Sequence, residues 1–291
     1  MTENNIDRVY HPKNLEEALA IRSSNRVIPF AGGTDLMAKR RRWPGTPRFE
    51  KPVLFIAHLD ALKQITLNNA GIPDGKQLQL GAACTLAALM TDERVPPALK
   101  GPIRGIGGPA IKNVATIGGN VCNASPAGDT LPALYALDAS VVLAAEQGRR
   151  VLPIEEFITG PGKTTLEDNE LLVSILVPVL SFDTILYRKV GTRRANALSK
   201  LSFIGLARMK ESRIADIRMA FGAVAPTVVR SREFEGRLVG LTGNELFGLA
   251  AQIRKDYAGL LHPIDDQRST ARYRKETALR LMDYFLTEAV M

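Results

Sequence analysis

The chain has 291 residues, 45% hydrophobic and 23% charged, the composition of a globular protein with material for a large core. Lys and Arg outnumber Asp and Glu by 38 to 30, a net charge of +8, and six of the basic residues fall in KRRRWPGTPRFEK at 39–51, which reads as a solvated surface run. No zinc finger, RNP-type motif or basic helix with interleaved aromatics accompanies that charge, so nucleic acid is not the expected partner, and no apolar run is long enough to span a membrane.

In chain order, Asn14 followed by Glu17 fits a capping box ahead of a helix in LEEALAI. RVIPF reads as a short strand that runs into AGGTD at 31–35, with a helix in LMAKRR after it. KPVLFIA reads as a buried strand. QITLNN and QLQLGAA alternate around a GIPDGK turn and predict a hairpin. Thr85 is placed to cap a helix in LAALM. PPALKGPIRGIG reads as a helix or irregular segment broken by Pro and Gly. KNVATIGGNVCNASPAGDT at 112–130 has too many glycines for a good helix and too few charges for an ordinary surface loop. LPALYAL reads as helix, SVVLAA as strand, RRVLPIEEFI as strand then short helix, and ELLVSILVP as a strand ending at Pro178. Three longer strands follow, in TILYRKV, LSFIGLARM and IADIRMAFGAV, and then helices near 229–239, 243–257 and 268–289. Strands first and helices after mark a separate α+β domain, with the boundary near 179–183.

The usual hydrolytic chemistry is poorly supplied. His11, His58 and His262 are scattered without metal-ligand spacing, no G-x-S-x-G elbow meets a partner His, and no P-loop is present. Cys84 and Cys122 cannot build a disulfide framework. With no apolar signal core near the N-terminus they are expected reduced, and the expected location is the cytoplasm. An enzyme with this inventory needs a cofactor to carry the chemistry. The two glycine-bearing stretches are where one could sit. Glycine permits positive φ and close backbone approach, successive N–H groups make an anion-binding concavity, and a following helix adds its positive end. The hydroxyls of Thr34 and Thr116 and the amides of Asn120 and Asn123 could add hydrogen bonds. On these grounds each stretch is either a tight turn or half of a cradle for a diphosphate joined to a sugar and a ring. GIGGPA at 105–110 matches a dinucleotide fingerprint, but no buried strand precedes it and Pro109 lies inside it.

AGGTD at 31–35, IKNVATIGGNVCNASPAGD at 111–129 and FGAVAPT at 221–227 together resemble the FAD-binding medium subunit of molybdenum hydroxylases. That family includes the flavin subunits of xanthine, carbon monoxide and nicotinate dehydrogenases, and the resemblance covers essentially the whole chain. It implies an α+β architecture: a vanillyl-alcohol-oxidase-type (PCMH) FAD-binding domain over 1–178, with subdomains near 1–58 and 59–178, and a C-terminal domain over 183–291 with a three-stranded antiparallel sheet and a helical bundle. It implies that Phe30, Ala31, Gly32, Gly33, Thr34 and Asp35 wrap the FAD diphosphate. Thr116, Gly118, Gly119, Asn120, Asn123, Ser125 and Asp129 would surround its diphosphate, ribityl and adenosine parts. Lys189, in RKVGTRR, would stand near the flavin ring, where a cation favours the anionic reduced form. Gly128 stands where relatives can carry Ser. The resemblance further implies a molybdopterin-binding large subunit, a small subunit with [2Fe–2S] clusters, NAD+ or another acceptor, and a heterotrimer or dimer of heterotrimers. This chain would contribute no catalytic residue and no metal ligand of its own. No long insertion carries cysteines for an iron–sulfur cluster, so none is expected here.

Overall fold

A computed structural model describes residues 8–40, 49–69, 76–193 and 196–290. Most of the basic run at 39–51, the 71–75 turn and part of RKVGTRR therefore lie outside the described residues.

The chain opens with β1 (Val9–Tyr10), α1 (Leu15–Ser24), β2 (Ile28–Phe30), α2 (Thr34–Arg40) and β3 (Val53–Phe55). The strands pair in the order β1-β3-β2, all parallel. Parallel strands require a crossover; α1 lies between β1 and β2, and α2 lies between the paired neighbours β2 and β3. Asn14 caps α1 by accepting from the Glu17 N–H at 2.8 Å, but the Glu17 carboxylate reaches the Lys13 N–H at 2.6 Å. The expected box is thus shifted by one residue on its return arm.

Next come β4 (Ile65–Asn68), β5 (Gln77–Gly81), α3 (Leu86–Thr91), α4 (Pro97–Arg104), α5 (Pro109–Lys112), α6 (Ile117–Asn123) and α7 (Thr130–Ala136). They are followed by β6 (Ser140–Ala145), β7 (Gly148–Pro153), α8 (Ile154–Phe157), β8 (Ile158–Gly160), β9 (Lys163–Thr164) and β10 (Leu171–Pro178). A five-stranded sheet in the order β4-β5-β10-β6-β7 is antiparallel throughout. β4 and β5 form the expected hairpin pair, with Leu67 opposite Leu78. PPALKGPIR resolves into a helix, α4, with its Pro97 in the first turn where a missing N–H costs nothing. The glycine-rich 112–130 stretch contains a helix too, α6, against expectation from its composition. Thr116 caps α6, and Gly118 lies where a Cβ would come within 2.6 Å of Ala82, so packing decides the conformation over propensity.

The C-terminal half is β11 (Thr184–Val190), β12 (Leu201–Lys210) and β13 (Arg213–Gly222), an antiparallel sheet in that order, then α9 (Arg232–Gly236), α10 (Gly243–Leu260) and α11 (Ala271–Tyr284), which runs into a π-helical turn at Phe285–Ala289. A complete capping box, Thr242 with Glu245, starts α10. The sheet is covered on both faces. Leu201 and Phe203 join Tyr257, Met282 and Phe285 in one core. Ile204, Leu206 and Ala220 instead join Leu99, Ala133 and Leu134 in the core of the five-stranded sheet. Burial of each such large side chain contributes about 1.5–3 kcal/mol. The C-terminal sheet is therefore fixed to α4 and α7, which carry the segments that flank the glycine stretches.

Candidate functional site

The first glycine stretch leaves β2 at the C-terminal end of a parallel strand and enters α2 directly, the position where α/β sheets hold ligands. Gly33 has φ +68, a left-handed conformation, and a Cβ on it would lie 2.3 Å from the Phe30 ring. Phe30 is thus the floor under the turn. The Met37 N–H bonds the Gly33 carbonyl at 2.8 Å, which starts the helical series. By helix geometry the N–H groups of the first turn, from Thr34 onward, precede that series and face outward from its end.

The second stretch is strapped to the segment after β5. Leu86 N–H bonds the Ala115 carbonyl at 2.9 Å, Ile117 N–H the Cys84 carbonyl at 3.1 Å and Gly118 N–H the Ala82 carbonyl at 2.9 Å. Gly119 N–H goes to the Thr116 hydroxyl at 3.1 Å and Asn120 N–H to the Thr116 carbonyl at 3.0 Å. These groups are already satisfied, so the expected run of free N–H donors is not present here. What this stretch offers is bare surface at Gly119, which is exposed and whose absent Cβ would meet only the Thr116 hydroxyl.

The two stretches meet. A Cβ on Gly32 would stand 1.9 Å from the Val114 carbonyl oxygen and 2.9 Å from Ala115 Cα, so backbone rests on backbone. At the other end of the same two helices, Lys39 of α2 donates to the Asn123 side chain of α6. With entries together and ends together, α2 and α6 lie side by side in the same direction, and their positive ends share one side.

Thr34 and Asp35 open α2, and neither side chain has a hydrogen-bond or ion-pair partner among the described residues. Asn120 accepts from Thr130 at 2.5 Å. The Ser125 hydroxyl accepts from the Ala127 N–H at 3.3 Å and steadies the turn before α7. Asp129, buried at the start of α7, is fully engaged by the C-terminal half. Lys189 donates to its Oδ2 at 2.6 Å, and Tyr187 at 3.3 Å and Ser199 donate to its Oδ1. Burial, then the Asp129 charge, pushes the Tyr187 hydroxyl far up. Asp129 and Lys189 are therefore neighbours of one another, beside the glycine stretches through Asn120 and Thr130.

Lys189 was legible through the family resemblance; the residues around it were not. Tyr187 and Lys189 lie on one face of β11, and that face packs on α4 where glycines open it. A Cβ on Gly101 would touch Tyr187 at 3.6 Å, and one on Gly105 would touch Lys189 at 3.5 Å. GIGGPA follows α4, a helix rather than a strand, so the dinucleotide fingerprint is excluded and Gly105 serves as a seat for Lys189. Lys189 also donates to the Gly105 carbonyl at 3.0 Å, while Lys112 donates to the Ile106 and Gly107 carbonyls at 3.2 and 3.0 Å. Two ammonium groups thus hold the turn between α4 and α5. The FGAVAPT motif supports the second stretch from behind: Ala223, at φ 60, donates its N–H to the Pro126 carbonyl at 2.8 Å, and Gly222 leaves room for Pro132. Strand alternation in TILYRKV was the available signal for setting Tyr187 on the same face as Lys189.

Comparison with known proteins places this architecture. Residues 4–180 match the model described as the FAD binding domain in molybdopterin dehydrogenase, and residues 186–289 match the CO dehydrogenase flavoprotein C-terminal domain. The chain is 30% identical over 290 residues to the xanthine dehydrogenase FAD-binding subunit of Escherichia coli O157:H7, covering 97% of this chain and 95% of that protein. It is 28% identical to the carbon monoxide dehydrogenase medium chain of Hydrogenophaga pseudoflava, over 96% of each chain. Among solved structures, carbon monoxide dehydrogenase from Hydrogenophaga pseudoflava superposes with a TM-score of 0.85 at 24% identity, covering 97% of this chain and 96% of that chain, a likeness of fold.

Proposed function

We propose, from the premise that this chain belongs to the family of FAD-binding subunits of molybdopterin-dependent dehydrogenases, that it relays electrons between the iron–sulfur clusters of a small subunit and a final acceptor. NAD+ is the first acceptor to test, with oxygen, a quinone or a ferredoxin as alternatives. A molybdopterin-binding large subunit oxidises the substrate, and the assembly is a heterotrimer or a dimer of heterotrimers. Domain limits of 1–178 and 183–291 fit this reading.

The observation that carries the proposal is the contact of Gly32 with Val114, which brings the two glycine stretches into one cradle. The residues present suit FAD. Phe30, Ala31, Gly32, Gly33, Thr34 and Asp35 would hold the diphosphate at the start of α2, where N–H groups and the helix end favour an anion. Thr116, Gly118, Gly119, Asn120, Asn123 and Ser125 would line the opposite side. Gly119 would let the cofactor come to the backbone, while Gly118 lets α6 come to Ala82. Asp129 and Lys189 would border the ring. When bound, FAD supplies two-electron storage that can be drawn on in single steps.

The test is the visible spectrum of the chain purified with its partners, followed by chromatographic identification of the released cofactor. A complex that releases stoichiometric FAD is expected. Gly119→Val is expected to fold, by circular dichroism, yet to emerge without flavin. A complex that releases no FAD and fails to retain added FAD would mean the stretches are only turns, and full occupancy in Gly119→Val would overturn the assignment of the second one.

A further inference from the structure

We propose that the cavity between the end of α7 and the start of α9 binds a small organic cation, with Tyr135 and Glu155 as its anchoring groups. The inference goes beyond the flavin reading and stands without it.

The cavity has a volume of about 310 Å³, at the lower bound of the ~300–1,000 Å³ usual for small-molecule sites. Its apolar wall is Ala139, Pro153 and Ile154. Ser140 lies opposite Pro153 in the β6–β7 pair, and proline offers no N–H to that pair, which leaves the sheet corner open. Tyr135, from the last turn of α7, is 5% exposed. Its hydroxyl has no hydrogen-bond partner among the described residues, and it is not one of the polar atoms sealed from water, so it opens into the cavity that Tyr135 lines. A buried phenol without a partner is costly unless something polar meets it. Burial, then the Glu155 charge, pushes this hydroxyl up to about 12, so it stays neutral.

Charge selects the ligand. Arg232 crosses the cavity from the C-terminal half, donating to the two Glu155 oxygens at 2.9 and 2.8 Å and to Asp138 Oδ1 at 2.7 Å. Asp138 is also held by Arg218 and Arg230, which pair in turn with Asp216 and Glu235. Three guanidinium groups therefore meet four carboxylates, and the network keeps one negative charge in excess. The excess falls on Glu155. Among the described residues Arg232 is its one ion-pair partner, and the Arg232 side chain is 53% exposed against 6% for Arg230. An anion is repelled from such a wall. A bare metal ion lacks ligands, because no three His, Cys, Asp or Glu side chains among the described residues are grouped to hold one. An organic cation suits every wall. Its N–H groups donate to Glu155 and to the Tyr135 oxygen, and its apolar body lies on Pro153 and Ile154. It competes with Arg232 for Glu155.

Benzamidine, an amidinium on a flat apolar ring, is the probe, titrated calorimetrically into the purified complex at low ionic strength. One saturable site per chain is expected, with no binding of benzoate, an anion of similar shape. Glu155→Gln is expected to weaken benzamidine about tenfold and Tyr135→Phe about threefold, for the loss of a charged and a neutral hydrogen bond. Arg232→Met removes the competing cation and is expected to tighten binding about threefold, a gain that general loosening of the fold does not produce. Circular dichroism shows that each variant is folded. Absence of saturation, equal binding of benzoate, or a site that neither Glu155→Gln nor Tyr135→Phe weakens would overturn the proposal. A complex without flavin that still binds benzamidine in this pattern would sink the cofactor reading alone.

Discussion

Helix α7 carries an aspartate at each end, and the two are held in opposite ways. Asp129, at its start, is bound by one lysine and two hydroxyls. Asp138, just past its end at φ 52, is bound by three guanidinium groups: Arg218 and Arg230 at 2.7 Å and Arg232 at 2.7 Å. Arg218 and Arg230 also donate to the carbonyls of Ala136 and Tyr135, which close the helix C-terminus. Arg230 continues to Glu235, whose other oxygen takes the Met219 N–H. Planar forks with several fixed partners make the Asp138 end a staple between the two halves of the chain. The Asp129 end, beside the glycine stretches, uses a single ammonium and two hydroxyls. One helix thus meets the C-terminal half through a many-armed ionic staple at one end and a single buried ion pair at the other.

That difference can be tested from its strongest consequence downward. Arg230→Met removes one partner of a buried pair and orphans Glu235, at a cost of about 3–5 kcal/mol in chemical denaturation. The protein that remains folded is expected to keep its flavin. If flavin affinity fell in step with stability, the two ends would not be independent. Gly32→Ala should show the reverse pattern. Its methyl meets the Val114 carbonyl, so the cradle opens and FAD retention falls, at a stability cost of about 1–3 kcal/mol. Tyr187→Phe removes one hydroxyl from Asp129 and should cost about 1 kcal/mol, with the Lys189 contact intact. Unchanged stability there would mean the hydroxyl adds nothing to the pair.

The smallest effect is on acid tolerance. Burial opposes the charged form of Asp138, but Arg230 and Arg218, with hydrogen bonds from Arg232 and Arg230, outweigh it and hold the carboxyl below its ordinary range. A depressed carboxyl stabilises the fold above its unfolded value, and that contribution is lost as pH falls through the folded value. The melting temperature of the wild type should therefore drop more steeply than that of Asp138→Asn once pH passes below about 4. Parallel curves would show that Asp138 does not carry the linkage.

Much of the architecture was legible because it rests on local patterns. Alternation in QITLNN and QLQLGAA, the break after Pro178 and the cap at Thr85 each depend on neighbours in sequence. The helix over Ile117–Asn123 was not legible, because its glycines argue against it and only Ala82, brought alongside by β5, shows why Gly118 is required. The glycine stretches announced a site, but not that Gly32 would lie on Val114, since contact between distant segments leaves no periodic trace. The staple at Asp138 was hidden for a similar reason. Arg218 falls in an expected strand and Arg230 in an expected helical stretch, and neither pattern pairs them until α7 is laid across them. Lys189 was singled out, but the carboxylate that answers it sits on a segment far away in the chain.

The contact between Gly32 and Val114 also bears on the order of assembly. One partner follows a parallel strand of the first sheet and the other follows the segment strapped behind β5, so neither unit can make the cradle alone. Contacts between such remote segments carry the largest chain-closure cost and form late. A refolding chain should therefore regain secondary structure and its hydrophobic cores before it can take up FAD. The cofactor then acts as a seal on a finished fold, not a template for an unfinished one, and its yellow colour reports the last step of maturation.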